Sequence, residues 1–285
     1  MINKRLSILI ILYEENLDTI TKCLEQIKEF KIIIIDNANN KNLKSEITKQ
    51  FDIYKYFLNY KNIGFSRAAN QGILECDTEY LLILGADCLI KYSDIEQLIL
   101  AKEKYDNCFL TSPTFYDLDG NYTYNGGLSC EKGMKNEVLK NSGDVCVEAI
   151  ITTAVLFKVK DMINLGLFDE KFFLYFLDED LCKRIRAINK SIIQVSESKA
   201  IHTHGQLKVK NRFKKIFFRN YYFDYEELYY FYKNNLHKKK YELVKKKIPK
   251  FIIKLIINFL IIRFDKFVYY LSKVLAFYKF RRLIK

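Results

Sequence analysis

The chain has 285 residues, of which 49% are hydrophobic and 28% are charged, and its formal net charge is +13. This length and apolar fraction support one large domain, or one domain with an appendage, and exclude a fully disordered chain. Two prolines and ten glycines exclude collagen-like and linker-rich proteins. Seven scattered cysteines contain no Cys-x-x-Cys pair, which indicates reduced thiols in a cytosolic protein. The N-terminus has a short apolar run without a cleavage site, so we expect no signal peptide.

Positive charge is concentrated at the C-terminal end of the chain. Residues 207–285 contain 22 Lys and Arg against five Asp and Glu, whereas residues 1–206 contain 25 against 29. The same 79 residues hold 21 of the 43 Phe and Tyr side chains. We therefore divide the chain into a body, residues 1–206, and a basic, aromatic tail, residues 207–285, and expect the tail to bind any anionic partner.

Three apolar runs in the body predict buried strands at residues 7–13, 31–36 and 80–84. Strands that are apolar at every position are typical of sheets covered on both faces, as in parallel sheets. Helical spacing of apolar residues predicts helices over 17–30 and 65–75. This β-α-β-α-β order predicts an α/β fold with a doubly wound sheet and right-handed crossovers.

Each predicted strand is followed by a polar cluster, at residues 13–15, 36–39 and 85–87. Ligands of such sheets bind beyond the carboxyl ends of the strands, so these clusters predict a binding site at one edge. The sequence contains neither GxGxxG nor GxxxxGK[ST], which argues against a dinucleotide oxidoreductase and a P-loop NTPase.

The second half of the body contains an acidic triplet and a histidine pair. Asp178, Glu179 and Asp180 follow an aromatic run, and we expect them at a helix N-terminus, where the helix dipole favours carboxylates. An ordinary helix cap is the alternative to a catalytic role. His202 and His204 follow a predicted strand at 192–195; such a pair can bind a metal, although a surface turn is the ordinary interpretation.

Taken together, these segments resemble the inverting nucleotide-sugar glycosyltransferases of family two, especially the rhamnosyltransferase-like branch. The resemblance extends in order over about residues 6–206. It rests on SILIILYEEN (7–16), IIIIDNANN (32–40), NIGFSRAANQGI (62–73), YLLILGADCLI (80–90), the segment 152–185 and AIHTHG (200–205). It implies a GT-A fold, which is a Rossmann-like, mainly parallel central sheet flanked by helices, here with a C-terminal helical extension.

The resemblance also implies roles for the acidic triplet and the histidines. Asp178 matches the family's catalytic base, which takes the proton of the acceptor hydroxyl during a single displacement at the anomeric carbon. Asp180 matches the second acid of the motif and would orient the helix terminus or the acceptor. Asp87 matches the last acid of the metal motif, and His202 matches the late histidine, a candidate contact for metal or diphosphate, with His204 as its competitor.

Donor contacts follow from the same resemblance. The donor-binding residues that it implies are Tyr13, Glu15, Asp36, Asn62, Gly64, Arg67, Ala86 and Asp87. Asp36 would accept the imide N–H of uracil or thymine, and a β-turn role for its carboxylate is the alternative. Arg67 would contact the diphosphate.

We expect a divalent cation, Mg²⁺ or Mn²⁺, because such hard cations suit carboxylate and diphosphate oxygens. One departure from the family pattern bears on this expectation. The first position of the metal triplet is Gly85 instead of an acid or Asn. We therefore expect weaker metal binding, or greater reliance on Asp87, His202 and the diphosphate itself.

The resemblance implies an enzyme that moves a sugar, with rhamnose as the leading candidate, from a UDP- or dTDP-sugar to a glycan or lipid-linked acceptor in cell-surface polysaccharide synthesis. One alternative is a basic nucleic-acid-binding protein, suggested by the charged, aromatic tail. It leaves Asp36, Asp87, Asp178 and His202 unexplained, so we expect no nucleic-acid partner. The second alternative is a catalytically inactive, glycan-binding relative of these enzymes, which Gly85 suggests.

The tail predicts contact with a membrane surface. Pro249 divides it, and the following run 251–262 is apolar except for Lys254 and Asn258, which would form one thin polar stripe on a helix. Twelve residues are too few to cross a bilayer, which takes roughly 20. Basic amphipathic helices instead suit the surface of an anionic membrane, so we expect a peripheral location on its cytoplasmic face. Packing on the body and a dimer interface are the alternatives.

Overall fold

The computed structural model describes residues 2–123, 126–132, 142–203 and 211–284, and these form two compact units. The first unit comprises the described residues up to Lys171 and those from Leu177 to Thr203. The second comprises Phe172–Phe176 and the described residues from Asn211 onward. Five residues that the sequence assigned to the body therefore belong to the second unit, and the functional division of the chain at residue 206 stays a prediction.

The first unit is built on a nine-stranded sheet with the order β3-β2-β1-β4-β8-β6-β9-β5, in which β7 pairs with β9. Its strands are β1 (Leu6–Leu12), β2 (Lys31–Asp36), β3 (Lys55–Leu58), β4 (Tyr80–Leu84), β5 (Cys88–Ile90), β6 (Cys108–Tyr116), β7 (Val145–Cys146), β8 (Ala154–Lys158) and β9 (Ser191–His202). The three apolar runs of the sequence form β1, β2 and β4, and their side chains are almost all buried. The α/β prediction is therefore confirmed.

Strand directions place several carboxyl ends at one edge of the sheet. β1 runs parallel to β2 and β4, and β2 runs parallel to β3. β8 is antiparallel to both β4 and β6, and β9 is parallel to β6. It follows that β9 runs in the same direction as β1, β2 and β4, so His202 ends its strand at the edge that follows Leu12, Asp36 and Leu84.

Helices pack around this sheet. The first unit contains α1 (Leu17–Ile27), α2 (Lys41–Gln50), α3 (Phe65–Leu74), α4 (Tyr92–Lys104), α5 (Val159–Asn164) and α6 (Leu177–Ala187). α1 begins where Oδ1 of Asn16 accepts the N–H of Thr19 at 2.9 Å, and it buries Ile20, Leu24 and Ile27 as its spacing predicts. α1 ends three residues before the predicted boundary, and α3 ends one residue before it.

The second unit contains three long helices, α7 (Arg212–Lys233), α8 (His237–Leu260) and α9 (Phe264–Leu283). Leu228, Ile248, Phe277 and Phe280 form its buried core. Within the described part of the chain, no helix has the length and apolar content needed to cross a membrane.

The expected division of the tail at Pro249 is wrong, because Pro249 lies inside α8. Proline has no N–H to donate to the carbonyl four residues earlier, which usually ends or bends a helix. Here the helix continues because Ile248 is buried in the core of the unit and Phe251 and Ile252 pack against that core. Tertiary packing therefore outweighs the local preference of proline.

Candidate active site

The turn after β4 and the end of β9 bring a carboxylate and an imidazole together. Oδ2 of Asp87 lies 3.3 Å from Nε2 of His202, and both side chains are largely shielded from solvent. β5 follows Asp87 directly and pairs antiparallel with β9, with Cys88 opposite His202. Thr203 fixes the same turn, because its N–H and its hydroxyl each donate to the backbone carbonyl of Asp87 at 2.9 Å.

This pair is a suitable donor set for a divalent cation. A carboxylate oxygen and a neutral imidazole nitrogen are both ligands that Mn²⁺ accepts, and a nucleotide diphosphate can supply further oxygens. Among the described residues, no group of three His, Cys, Asp or Glu side chains is arranged to hold a metal. Asp87 and His202 would therefore hold a cation jointly with a bound diphosphate. His204, the predicted competitor, lies outside the described residues.

Acidic side chains from three strand ends influence one another at this edge. Burial, with smaller contributions from the negative charges of Asp87 and Asp36, raises the pKa of Glu15 to about 8. Glu15 also accepts the N–H of Tyr13, which closes the turn after β1. The predicted convergence of the clusters after β1, β2 and β4 therefore takes place, and the negative charges of Asp36 and Asp87 would repel an anionic donor unless a cation were bound.

Asp36 is fully buried, and its carboxylate is engaged by the turn that it begins. Oδ1 accepts the N–H of Ala38 at 2.7 Å, and Oδ2 accepts the N–H of Asn40 at 3.2 Å and the hydroxyl of Tyr56 at 3.4 Å. This is the β-turn role that the sequence left open as an alternative. A contact with a nucleobase stays a prediction.

The segment before α3 is tied to the end of β2. Oδ1 of Asn62 accepts the N–H of Gly64 at 2.9 Å, and the carbonyl of Gly64 accepts from the side-chain amide of Asn37 at 3.2 Å. Gly64 has a φ of 87°, a left-handed backbone that favours glycine. Arg67 is exposed on α3 with its guanidinium 3.3 Å from Glu170, so its predicted diphosphate contact would require exchange of this surface ion pair.

The turn of Gly85, Ala86 and Asp87 after β4 is tightly packed. Ala86 is 5% exposed, so its predicted donor contact would come from the backbone or from movement of the turn. The N–H of Gly85 donates to the carbonyl of Thr153 at 2.7 Å, which joins this turn to the residues before β8.

The three acids at the start of α6 have different roles. Glu179 accepts the backbone N–H of Cys130 with both oxygens, at 3.1 and 3.2 Å. Asp180 is buried and forms an ion pair at 2.9 Å with Arg184, one helical turn later. Arg184 also donates to the carbonyls of Leu165 and Leu167 at 3.1 and 2.7 Å. Glu179 and Asp180 therefore hold neighbouring backbone in place.

Asp178 is the acid of the triplet that the sequence predicts as the base, and that role stays a prediction. It is half-buried, accepts the N–H of Glu179 at 3.0 Å, and forms no ion pair with the residues that the structure describes. Burial raises its pKa to about 6. Glu179 has a pKa of about 7, raised chiefly by burial and also by the charge of Asp178. Asp178 is thus a carboxylate that is ionised at neutral pH and still able to accept a proton.

One residue that the sequence analysis missed holds the segment immediately before α6. Glu226 of α7 is fully buried, and its carboxylate accepts the N–H groups of Phe173, Leu174 and Tyr175 at 2.5, 3.1 and 2.6 Å. All four residues belong to the second unit. The signal in the sequence was one of only five acids in a strongly basic tail, placed within a run of aromatic residues.

Known proteins place this geometry in a family. The sequence model of Glycosyl transferase family 2 matches residues 7–159. The chain is 23% identical over 219 residues to the dTDP-rhamnosyl transferase RfbF of Shigella flexneri, which covers 73% of this chain and 72% of that protein. The predicted rhamnosyltransferase-like resemblance is therefore confirmed.

Two solved structures show the same fold at low identity. GalNAc-T7 with UDP, GalNAc and Mn²⁺ matches 78% of this chain with a TM-score of 0.60 and 16% identity. The mannosyltransferase PcManGT from Pyrobaculum calidifontis, in complex with GDP-Man and Mn²⁺, matches 77% with a TM-score of 0.54 and 11% identity. This chain spans 50% and 62% of those two chains. The GT-A fold is confirmed, and the chain belongs to glycosyl transferase family 2.

Proposed function

We propose that this protein transfers a sugar from a UDP- or dTDP-activated donor to an acceptor hydroxyl, with inversion at the anomeric carbon. The observation that carries the proposal is the Asp87–His202 pair at the carboxyl edge of the sheet in a family 2 chain. This edge is where α/β sheets bind their ligands, and the pair supplies two ligands for a cation beside the bound nucleotide.

Donor binding follows from the charge of this edge. Asp36 and Asp87 lie close enough to Glu15 for their negative charges to raise its pKa, so a diphosphate needs a counter-charge to bind there. A divalent cation held by Asp87 and His202 would supply that charge and stabilise the diphosphate as it leaves. The Mn²⁺ complexes of GalNAc-T7 and PcManGT support a divalent cation in this fold.

Asp178 would perform the proton transfer. As the acceptor oxygen forms its bond to the anomeric carbon, the bond from that carbon to the diphosphate oxygen breaks, and the diphosphate leaves with the electron pair. The acceptor hydroxyl gives its proton to the carboxylate of Asp178. A pKa near 6 suits this step, since a base works best when its pKa lies near the working pH.

The finer identity of donor and acceptor rests on similarity and on charge. Similarity to RfbF makes dTDP-rhamnose the leading donor. A lipid-linked glycan is the proposed acceptor, and the basic second unit supports peripheral contact with the inner face of the cell membrane, where such an acceptor would be presented.

A thermal-shift screen of dTDP-rhamnose, UDP-sugars and GDP-mannose, with and without Mn²⁺, tests the proposal. A ligand at a hundred times its Kd stabilises the folded state by about 2.7 kcal/mol, so the cognate donor should raise the Tm. We expect a dTDP- or UDP-sugar to do so, and Mn²⁺ to enlarge the shift. If every nucleotide sugar leaves the Tm unchanged in the presence of Mn²⁺, the proposed donor site is wrong.

A further inference from the structure

The second unit exposes a dense apolar surface where α8 turns into α9. Leu260 and Ile262 are 71% and 72% exposed, which is unusual for large aliphatic side chains on a folded protein. We call this surface the α8–α9 corner; its exposed residues are Ile253, Ile256, Ile257, Phe259, Leu260, Ile261, Ile262 and Phe264. Contiguous apolar patches of this kind mark interaction surfaces.

The last turns of α8 have an inverted polarity pattern. Ile253, Ile256, Ile257 and Leu260 follow one another at helical spacing and all face outward. The polar residue Asn258 faces inward at 7% exposure, and its side-chain amide donates to the carbonyl of Lys254 at 2.6 Å. Lys254 and Asn258 lie four residues apart on α8, as predicted for one thin polar stripe, and at Asn258 this stripe faces the protein interior. A helix in water normally turns its apolar face inward, so this outward face suits an apolar environment.

Backbone geometry at the corner supports this interpretation independently. α8 ends in a Schellman motif, in which the N–H of Ile262 donates to the carbonyl of Phe259 at 3.1 Å and the N–H of Arg263 donates to that of Asn258 at 2.9 Å. The motif requires a left-handed residue, and Ile262 occupies that position with a φ of 57°. A β-branched residue is strained there, because its Cβ approaches the backbone too closely.

In the described part of the chain, three other helices end in the same motif with residues that tolerate it. Gly166 follows α5 with a φ of 90°, Asn189 follows α6 with a φ of 55°, and Asn235 follows α7 with a φ of 59°. Glycine and asparagine are the residues that adopt this backbone most readily. Ile262 therefore departs from the pattern that the chain uses elsewhere, and it does so at one of its most exposed apolar positions.

Basic residues surround the corner. Arg212, Phe213, Arg263 and Lys266 line a cleft together with Ile262, and the ring of Phe213 packs edge-on against Phe264. Asp265, the acid in this cleft, forms an ion pair with Arg212. Exposed cations beside exposed aliphatic side chains match an anionic lipid surface, where phosphate headgroups lie above the acyl chains.

We propose that the α8–α9 corner inserts into the outer acyl region of an anionic lipid bilayer, with Ile262 and Leu260 at its tip. This inference rests on the proposed function, because it supplies the contact through which the enzyme would reach a lipid-linked acceptor. The strain at Ile262 is then offset on the membrane, where its side chain leaves water. The α8–α9 corner would therefore bind the membrane in two ways: its basic residues contact the anionic headgroups, and its aliphatic side chains enter the acyl region.

A substitution with opposite effects on stability and binding tests this inference. Ile262→Gly relieves the left-handed strain, so the full-length variant should have a Tm higher by about 2–4 °C. The same change removes an inserted side chain, so affinity for vesicles of phosphatidylglycerol and phosphatidylcholine should fall by roughly tenfold. Asn235→Gly is the matched control, because it changes the equivalent position after α7 and should leave vesicle binding unchanged.

Co-sedimentation at low and high salt, with dTDP binding measured alongside, separates the outcomes. Added salt should reduce wild-type binding but leave a residual fraction, because screening acts on charges and not on the inserted side chains. Ile262→Gly should lose that residual fraction and keep its affinity for dTDP.

The inference is overturned if Ile262→Gly binds vesicles as the wild type does, or if its Tm falls. It is equally overturned if the wild type ignores anionic vesicles while binding single-stranded RNA, or forms a dimer that Ile262→Gly dissociates. A wild-type protein that binds no dTDP at all would instead contradict the proposed function.

Discussion

A Cβ atom at Gly85 would lie 3.1 Å from Oδ1 of Asp87 and 3.4 Å from the side chain of Thr153. The first contact is tighter than the van der Waals distance of a carbon and an oxygen, so a side chain at Gly85 would push the Asp87 carboxylate aside. The glycine that departs from the family's triplet thus leaves room for the carboxylate that remains. Its backbone φ is not in the left-handed region, so the reason for glycine is space.

Gly85→Ala should weaken the Mn²⁺-dependent part of nucleotide binding several-fold and leave the Tm nearly unchanged. Isothermal titration of dTDP or UDP with and without Mn²⁺ measures this part directly. Gly127→Ala is a matched control, because a Cβ there meets nothing within 4 Å. An affinity that stays the same, or rises, in Gly85→Ala would show that the Asp87 carboxylate is not positioned as described.

Asp87 and His202 should contribute unequally to the same measurement. Asp87→Ala removes the only charged ligand of the pair, so the difference in nucleotide affinity between Mn²⁺ and EDTA should disappear. His202→Ala should reduce Mn²⁺-dependent affinity by roughly tenfold, as expected for the loss of one contact in a metal site. Asp18→Ala, which removes an exposed carboxylate of α1 paired with Lys22, serves as control. If Asp87→Ala keeps the full difference in nucleotide affinity between Mn²⁺ and EDTA, Asp87 is not a metal ligand.

The sequence predicted the parts of the fold in which local pattern and tertiary environment agree. β1, β2 and β4 are apolar at nearly every residue because both faces of the sheet are covered, and the sequence located all three. β3 is short and half-buried and begins with a lysine, so it gives no such signal. β6 is buried but contains Pro113 and polar residues, among which the hydroxyl of Thr111 donates to the carbonyl of Leu98 in α4 and that of Ser112 donates to the carbonyl of Ala154 in β8.

The site shows the same division. Its acids could be located because they follow recognisable strands. The pairing of Asp87 with His202 could not be derived from spacing, since it depends on β5 pairing antiparallel with β9. Pro249 suggested a break in the tail, but the core around Ile248 holds α8 together across it. Ile262 gave no signal, because its φ depends on the motif that ends the helix.

Glu226 should make stability depend on pH. Burial raises the pKa of this carboxyl from its ordinary 4.5 to about 7, so between these values the folded state binds more protons than the unfolded state. Its contribution to the free energy of unfolding must then fall as the pH rises from about 4.5 to about 7. Glu226→Gln removes this titration.

Thermal unfolding of the wild type and Glu226→Gln across this pH range measures the effect. The Tm advantage of the wild type should be largest near pH 4.5 and shrink toward pH 7. Glu226→Ala should be destabilised at every pH, because three N–H groups lose their acceptor, at up to about 1–3 kcal/mol for each one that water cannot reach. Wild-type and Glu226→Gln curves that run parallel would mean that Glu226 keeps its charge throughout.

The role of Asp178 as the base predicts both a pH profile and a mutant phenotype. Because its pKa is about 6, the rate of sugar transfer should fall tenfold per pH unit below about pH 6, where the carboxylate is protonated. Asp180→Asn is the matched control. It breaks the ion pair with Arg184, so it should lower the Tm, whereas Asp178→Asn should not.

The most direct test is the rate of sugar transfer by Asp178→Asn, measured together with its donor affinity. Asparagine keeps the shape of the side chain but cannot accept the acceptor's proton. We expect transfer to fall by roughly 10²–10⁴-fold while the Kd for the nucleotide sugar stays within about twofold of the wild-type value. Near-normal transfer by a folded Asp178→Asn protein would contradict the account and assign the base to another residue.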